Sequence, residues 1–455
     1  MQVFNTLTRR KETLKPIREG KLGMYVCGMT VYDYCHLGHA RVMVAFDVIS
    51  RWLRVQGYDL TYVRNITDID DKIIARANDN NEPIDELTGR FIAAMHEDAD
   101  RLGVLPPDEE PRATDHLADM HHMIAQLIDK GYAYQGSNND VYYRVSRFDG
   151  YGALSGKILE DLRSGERVSV VEAKEDPLDF VLWKTAKPDE PAWPSPWGDG
   201  RPGWHIECSA MSTKLLGNHF DIHGGGPDLK FPHHENEIAQ SEACTGETYA
   251  NTWMHAGAVR VDNEKMSKSL GNFFTIREIL DRYHPEVVRL FLISSHYRSA
   301  INYADSALDE SKARLDRFYQ ALEGITPAST LVEGELSQRF AQSMNDDFNT
   351  AGALAVLFDG VKKLNSAEQA DQPQIAAELV VLGGKLGILQ MDPEQYLQSG
   401  STSEIDAQWV EQQIALRLQA RADKDWAESD RIRDALVEQG IILKDGREGT
   451  TWHRS

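Results

Sequence analysis

An apolar stretch, Leu22-Gly23-Met24-Tyr25-Val26, leads into His36-Leu37-Gly38-His39 and then into a helix-period segment, and no other feature constrains the fold as much. From about Ala40 to Val55, the residues Met43, Phe46, Ile49 and Leu53 recur along one face, with Gly57 just beyond as a stop signal. Asp59-Leu60-Thr61-Tyr62-Val63-Arg64 then reads as a second strand. The pattern predicts a β–turn–α–β unit, without a G-x-G-x-x-G at the turn. A helix N-terminus offers unpaired backbone N–H groups and partial positive charge, so a phosphate belongs there. Two imidazoles at such a turn can add donors where negative charge builds.

Past the middle of the chain stands Lys265-Met266-Ser267-Lys268-Ser269. Two lysines brought in by a distant loop can neutralise a departing pyrophosphate. Together, His36-Leu37-Gly38-His39 and this pentapeptide resemble the HIGH and KMSKS signatures of class I aminoacyl-tRNA synthetases, with Leu37 in the second position. A lone H-x-x-H is common by chance. A five-residue match in the right order after a Rossmann-like start is specific.

Three further segments bear on the substrate. Cys27 follows the first strand, Cys208 follows Gly203-Trp204-His205-Ile206-Glu207, and Phe231-Pro232-His233-His234-Glu235-Asn236-Glu237 places a proline at an expected first helical position. His233 and Glu237 are four apart and share a helix face. Two thiolates, an imidazole and a carboxylate make a zinc shell, although each alone has an ordinary reading: a small core residue for a cysteine, a solvated helix pair for His and Glu. These segments look like the zinc-site segments of cysteinyl-tRNA synthetases, and that resemblance runs from Phe4 to Trp452. It implies Cys27, Cys208, His233 and Glu237 as zinc ligands. It places Gly28, Thr67, Trp204, His223 and Asp228 around the amino acid. His36 and His39 would act on the α-phosphate and Lys265 and Lys268 on the pyrophosphate, with His36, Gly38, His39 and Lys268 at ATP. Turn chemistry reads His223-Gly224-Gly225-Gly226-Pro227-Asp228 as a flexible loop. Core packing is the ordinary fate of Trp204.

The chemistry of the implied substrate is consistent with a metal. Cysteine differs from serine by sulfur for oxygen, and shape alone separates near-isosteres by only about 10–200-fold. Zinc is borderline soft, prefers a thiolate to a neutral hydroxyl and deprotonates a bound thiol.

With 455 residues the chain has room for two to four domains. The resemblance divides it into a Rossmann-type α/β catalytic domain (1–115 and 201–300) split by a connective insertion (116–200), a helical bundle (301–397) and a small α+β anticodon-binding tail (405–455). Within these, a helix is expected near Asp115–Lys130, ending at Gly131, and a hairpin at Asn138-Asn139-Asp140. Thr275-Ile276-Arg277-Glu278 reads as a capping box. Leu315, Phe318, Tyr319 and Leu322 form one bundle-core stripe, and Leu354, Leu357, Phe358, Val361 and Leu364 another. Gln398-Ser399-Gly400-Ser401-Thr402-Ser403 reads as a linker, and Trp409–Gly440 as a helical stretch. The acidic run Asp68-Ile69-Asp70-Asp71 is expected to cap a loop and a helix rather than bind metal.

Composition sets further limits. No apolar run approaches the ~20 residues of a membrane helix, and no apolar h-region follows Met1–Lys21. With four cysteines kept reduced for metal, the expected compartment is the cytoplasm. A net charge of −22 counts against a general nucleic-acid binder, so RNA must be met by local basic patches. Between 411 and 455, eight Lys/Arg stand against nine Asp/Glu, a nearly neutral tail in an acidic chain.

The expected activity is thus activation of L-cysteine with ATP and Mg²⁺, then transfer to tRNA(Cys) by a monomer. Two alternatives are a paralogous zinc-dependent cysteine ligase of mycothiol synthesis, which lacks the anticodon domain, and a non-catalytic RNA-binding paralog, which would need neither signature.

Overall fold

The structure is a computed structural model that describes residues 1–158, 173–187, 190–261, 264–265, 272–399, 406–446 and 449–454. The chain divides into two compact units. The first comprises Met1–Ile276, Ser295–Asn302 and Ser343–Thr350; the second comprises Arg277–Ser294, Tyr303–Gln342 and Ala351–Ser455.

A hairpin of β1 (Gln2–Asn5) and β2 (Arg10–Thr13) opens the first unit. The predicted β–α–β unit follows: β3 (Lys21–Thr30), α1 (Leu37–Val55) and β4 (Asp59–Thr67), with β3 and β4 parallel. Both the helix and the second strand are longer than periodicity alone suggests. α1 starts at Leu37 because His36 caps it, and Met43, Phe46, Ile49 and Leu53 are all buried. Gly57, at φ +85°, ends the helical path.

β9 (Phe220–Gly225) pairs with the other edge of β3, and β10 (Ala250–His255) with β9, giving a parallel sheet in the order β10-β9-β3-β4. The chain leaves β3 towards β4 on one side and finds β9 on the other. Such a switch point opens a crevice at the C-terminal strand ends, where α/β sheets bind ligands. The His223-Gly224-Gly225 segment is therefore strand, not flexible loop. Its glycines serve close packing: a Cβ on Gly224 would collide with the Phe46 ring of α1.

Between the two halves of that sheet, α2 (Asp71–Asn80), α3 (Ile84–Arg101) and α4 (Leu117–Asp129) precede a four-stranded antiparallel sheet. That sheet comprises β5 (Ala133–Gln135), β6 (Val141–Tyr143), β7 (Phe180–Thr185) and β8 (Gly200–Pro202), with the expected hairpin joining β5 and β6. Asp70 caps α2 through Lys72 N, and Asp68 accepts from Thr114 N and Oγ1, so these carboxylates have the structural roles expected of them. α5 (Trp204–Leu216) and α6 (Glu235–Thr245) complete the unit.

In the second unit, Leu315, Phe318, Tyr319 and Leu322 are buried on helix Asp305–Leu322. Helix Thr350–Ser366 buries Leu354, Leu357, Val361 and Leu364, with Phe358 half-buried and its ring 4.4 Å from that of Phe318. Glu286 ties the bundle together, accepting from Tyr319 Oη (2.6 Å), Leu389 N (2.9 Å) and Gln390 N (3.0 Å). Gln398 ends helix Pro393–Gln398 rather than starting a linker, and 400–405 lie outside the described residues. The expected stretch Trp409–Gly440 is two helices, Ala407–Ala422 and Trp426–Glu438, split where Lys424 turns to φ +60° and Asp425 caps the second. They pack with the hairpin Ile441–Asp445/Thr450–Arg454 around Trp452, which is 1% exposed.

Candidate functional site

Cys27 ends the apolar run of β3, and the strand beside it presents His223 opposite Tyr25. Cys208 lies in the second turn of α5. His233 precedes α6 and Glu237 lies in its first turn, so the helix begins after Pro232, not at it. These four side chains converge, almost fully out of water. Cys27 Sγ stands 3.7 Å from Cys208 Sγ, 3.5 Å from His233 Nε2 and 3.3 Å from Glu237 Oε1, and His233 Nε2 is 3.1 Å from that oxygen.

The spacing can be tested against a tetrahedral ion. With Zn–S near 2.3 Å and Zn–N or Zn–O near 2.0–2.1 Å, ligand atoms should be separated by about 3.8 Å (S–S), 3.6 Å (S–N or S–O) and 3.4 Å (N–O). The observed separations lie within a few tenths of an ångström of these. The residues fit a zinc ion.

The surrounding hydrogen bonds orient the set. Glu237 uses Oε2 for His223 Nε2 (2.7 Å) and Tyr249 Oη (3.0 Å), leaving Oε1 towards the sulfurs and His233. His233 meets His205 through the two Nδ1 atoms at 2.9 Å, which turns Nε2 to the cluster. His223 stacks on Trp253 at 4.4 Å. Such outer partners fix ligand orientation. His205 and Tyr249 are the residues that the sequence reading missed: no motif singles out Tyr249, and His205 is visible only as a neighbour of Cys208.

Charge follows from burial and neighbours. Burial raises the Cys208 thiol, but the hydrogen bond from Cys27 and the His233 charge outweigh it and bring it down to about 6. Cys27, buried and the donor of that bond, is pushed well up. Burial likewise raises the Glu237 carboxyl, and His223 and His233 more than reverse it. A buried carboxylate and thiolate need positive charge beside them. In the protein alone His233 supplies it: burial pulls it down, but Glu237 and Cys208 lift it to about 10.

Trp204, 39% exposed, is not a core residue: its ring lies 4.4 Å from that of His233, at the open side of the cluster. Thr67 ends β4, buried, its hydroxyl donating to Glu207 Oε2 (3.1 Å). Asp228 is exposed on the turn after β9. Gly28 N donates to Asn65 Oδ1 (2.9 Å). A Cβ on Gly28 would land on the Asn65 carbonyl oxygen, which the flanking pairs Val26↔Arg64 and Met29↔Ile66 hold in place. Gly28→Ala is therefore expected to destabilise the protein by more than ~2 kcal/mol. Gly23→Ala on the same strand, where the nearest neighbour is 3.5 Å away, should cost less than ~1 kcal/mol. Urea unfolding of both variants checks the pair.

The same sheet end carries the turn into α1. His36 Nδ1 accepts from Gly38 N (3.0 Å) and His39 N (3.4 Å), while His36 N donates to His39 Nδ1 (3.2 Å). The two rings stack at 3.7 Å. With both Nδ1 atoms accepting, each neutral imidazole carries its proton on Nε2. Burial and the neighbouring His36 hold His39 well below the usual histidine range, so it is neutral at pH 7. Leu37 N donates to Phe274 O (3.1 Å) and Ile276 N to Cys35 O (2.8 Å), which stitches the segment following Lys265–Ser269 to this turn. The backbone of Lys265 pairs with Arg260. Its side chain, and Lys268, lie outside the described residues.

Comparison with known proteins agrees with this geometry. The model of the class I (C) tRNA synthetase catalytic domain matches residues 13–313, and that of the DALR domain matches 339–390. Proteins named cysteine--tRNA ligase from Azotobacter vinelandii and Pseudomonas paraeruginosa are each 64% identical over 455 residues, covering 99% of both chains. Methionyl-tRNA synthetase of Mycobacterium tuberculosis in complex with methionyl-adenylate shares the fold at 17% identity, with a TM-score of 0.55 over 80% of this chain and 89% of that one. By identity and length, the chain belongs to the cysteine--tRNA ligase family of class I tRNA synthetases.

Proposed function

We propose that this protein activates L-cysteine with ATP and transfers it to the 3′-terminal adenosine of tRNA(Cys). The observation that carries the reading is the S₂NO cluster within one sheet end of a histidine-capped helix N-terminus. One is suited to a thiol and the other to a phosphate.

In this reading Cys27, Cys208, His233 and Glu237 hold one zinc ion, which supplies a preference for sulfur over oxygen in the substrate side chain. Gly28, Thr67, Trp204, His223 and Asp228 surround the amino acid. The hydroxyl of Thr67 already donates to Glu207 and accepts from Asn65 Nδ2 (3.4 Å), so towards substrate it offers its remaining lone pair, which suits the α-ammonium. The carboxylate of cysteine attacks the α-phosphorus of ATP, the bond to the β-phosphate oxygen breaks, and pyrophosphate leaves. The Nε2–H groups of His36 and His39 and the backbone at Gly38 donate to the phosphate as its charge grows. Lys265 and Lys268 take the pyrophosphate side, with Mg²⁺ on the ATP. The adenosine hydroxyl then attacks the acyl carbon and AMP departs.

The catalytic domain spans 1–115 and 201–300 around the insertion 116–200, followed by the bundle 301–397 and the anticodon-binding tail 405–455. The DALR match within the bundle favours tRNA contact by this half of the chain. The described cysteines are free thiols, and no helix among the described residues is long and apolar enough to cross a membrane. The reading places the chain in the cytoplasm as a monomer. The mycothiol-type ligase and the non-catalytic paralog are not favoured, because the match to cysteine--tRNA ligases is full-length.

One experiment tests the reading. ATP–pyrophosphate exchange should depend on cysteine and not on serine or alanine, and the full chain should charge tRNA(Cys). A chain ending at 404 should keep exchange within a few-fold and lose most charging, through weaker tRNA binding, with helical signal and zinc content as controls. A folded truncation that charges at the parent rate would remove the tail from tRNA recognition.

A further inference from the structure

Three cations from three separate segments gather at the rim of the metal cluster: Arg9, Lys157 and Lys230. Arg9 ends the turn between β1 and β2 in a left-handed conformation, φ +59°. An L-residue there costs roughly 1–2 kcal/mol, and Gly or Asn is the usual occupant. The turn cannot drift, because Thr6 N donates to Trp253 O (2.8 Å), Asn5 Nδ2 to Asn251 O (2.9 Å), and Thr6 Oγ1 meets His255 Nδ1 at 2.9 Å. The Arg9 guanidinium lies against Gly156, where even a methyl group would collide with it.

Gly156 and Lys157 are held from the other side. Glu235, two residues before the cluster's Glu237, is buried and accepts from Ser155 N (2.8 Å) and Leu154 N (3.4 Å). Lys157 Nζ then sits 5.7 Å from the centre of the Phe231 ring. Lys230 precedes that phenylalanine and is three residues from His233. Burial and then the Arg9 charge depress its ammonium by more than the buried Glu235 carboxylate raises it, so the two cations are electrostatic neighbours. His255, which also feels Lys230, meets His234 at 2.9 Å beside the cluster. None of the three cations forms an ion pair among the described residues.

In a chain of net charge −22, three like charges brought together by separate anchors, none of them in an ion pair among the described residues and with the nearby Glu235 carboxylate buried and engaged by Leu154 N and Ser155 N, are a binding feature. Two of them are exposed and Lys230 is half-exposed, so the anion comes from outside. The proposed reaction supplies one. The 3′ end of tRNA must cross the rim of this pocket to bring its hydroxyl to the activated cysteine, and its phosphodiesters arrive against a repulsive background. We propose that Arg9, Lys157 and Lys230 form a phosphate-binding saddle for the single-stranded 3′ end of the tRNA, distinct from the nucleotide site at His36–His39. This rests on the reading that the chain charges tRNA.

The test uses the full chain carrying Arg9→Ala, Lys157→Ala and Lys230→Ala, singly and together. Each phosphate contact with a single strand contributes about 0.7 to the slope of log affinity against log salt. The triple variant should flatten that slope for tRNA binding by about 2 and raise the KM for tRNA about 30-fold at low salt. Cysteine-dependent pyrophosphate exchange and zinc content should stay at the parent level. Arg9→Lys, which keeps the charge, should keep the slope. If the parent charges tRNA while the triple variant shows the same slope and KM, the saddle does not bind tRNA. If exchange falls by the same factor as charging, the cations serve the ATP or cysteine pocket and the proposal is equally overturned. A parent that fails to charge tRNA(Cys) at all would instead refute the proposed function.

Discussion

Cys208→Ser is expected to abolish zinc binding and cysteine activation together, lowering pyrophosphate exchange by about 10³-fold or more. The serine hydroxyl occupies nearly the same volume but stays neutral and hard where the cluster requires a soft anion. Cys208 is the thiol that the hydrogen bond from Cys27 and the His233 charge draw down, so of the two cysteines it is the readier thiolate. Its loss also leaves His233 with one fewer neighbouring anion, and Glu237 as the anion that remains beside it in a dry site. Metal analysis and exchange measured on the same preparation check the expectation. Full exchange with less than one zinc per two chains would separate the metal from the chemistry. Tyr249→Phe supplies a graded comparison, since it removes one of the two bonds that aim Glu237 while leaving the four ligands intact. Losses at this outer layer are typically 10–100-fold in metal affinity.

Much of this site was legible in the sequence, for differing reasons. The β3–α1–β4 unit follows from periodicity, because Met43, Phe46, Ile49 and Leu53 must share one buried face wherever the helix packs. The convergence of Cys27, Cys208, His233 and Glu237 does not follow from spacing. Positions 27 and 208 are brought together by the packing of α5 against β3, which only the resemblance implied. His205 and Tyr249 were missed because an orienting hydrogen bond leaves no period or motif behind. Gly224 misled for a physical reason: glycine permits turns and also permits close packing, and here the Phe46 ring selects the second. The break between the two tail helices depends on a single left-handed residue, Lys424, which carries no propensity signal. Lys268 is known from the motif alone.

The second large effect belongs to the helix cap. His39 serves two atoms in two ways: Nδ1 accepts from His36 N and so helps to cap α1, while Nε2–H remains as a donor. Asparagine can offer its amide oxygen near the position of Nδ1 but reaches no further. His39→Asn should therefore keep the cap, and with it a Tm within a few degrees of the parent, while exchange falls about 10²–10³-fold, the usual loss when one preorganised donor to a developing negative charge is removed. The KM for cysteine should hardly move, because the donor acts on the phosphate as charge develops and not on the bound amino acid. Ala at the same position removes cap and donor together and should lose about 1 kcal/mol of stability besides. If His39→Asn kept parent exchange, the histidine pair would be a capping device alone, and stabilisation of the phosphate would rest on the backbone N–H groups and the lysine loop.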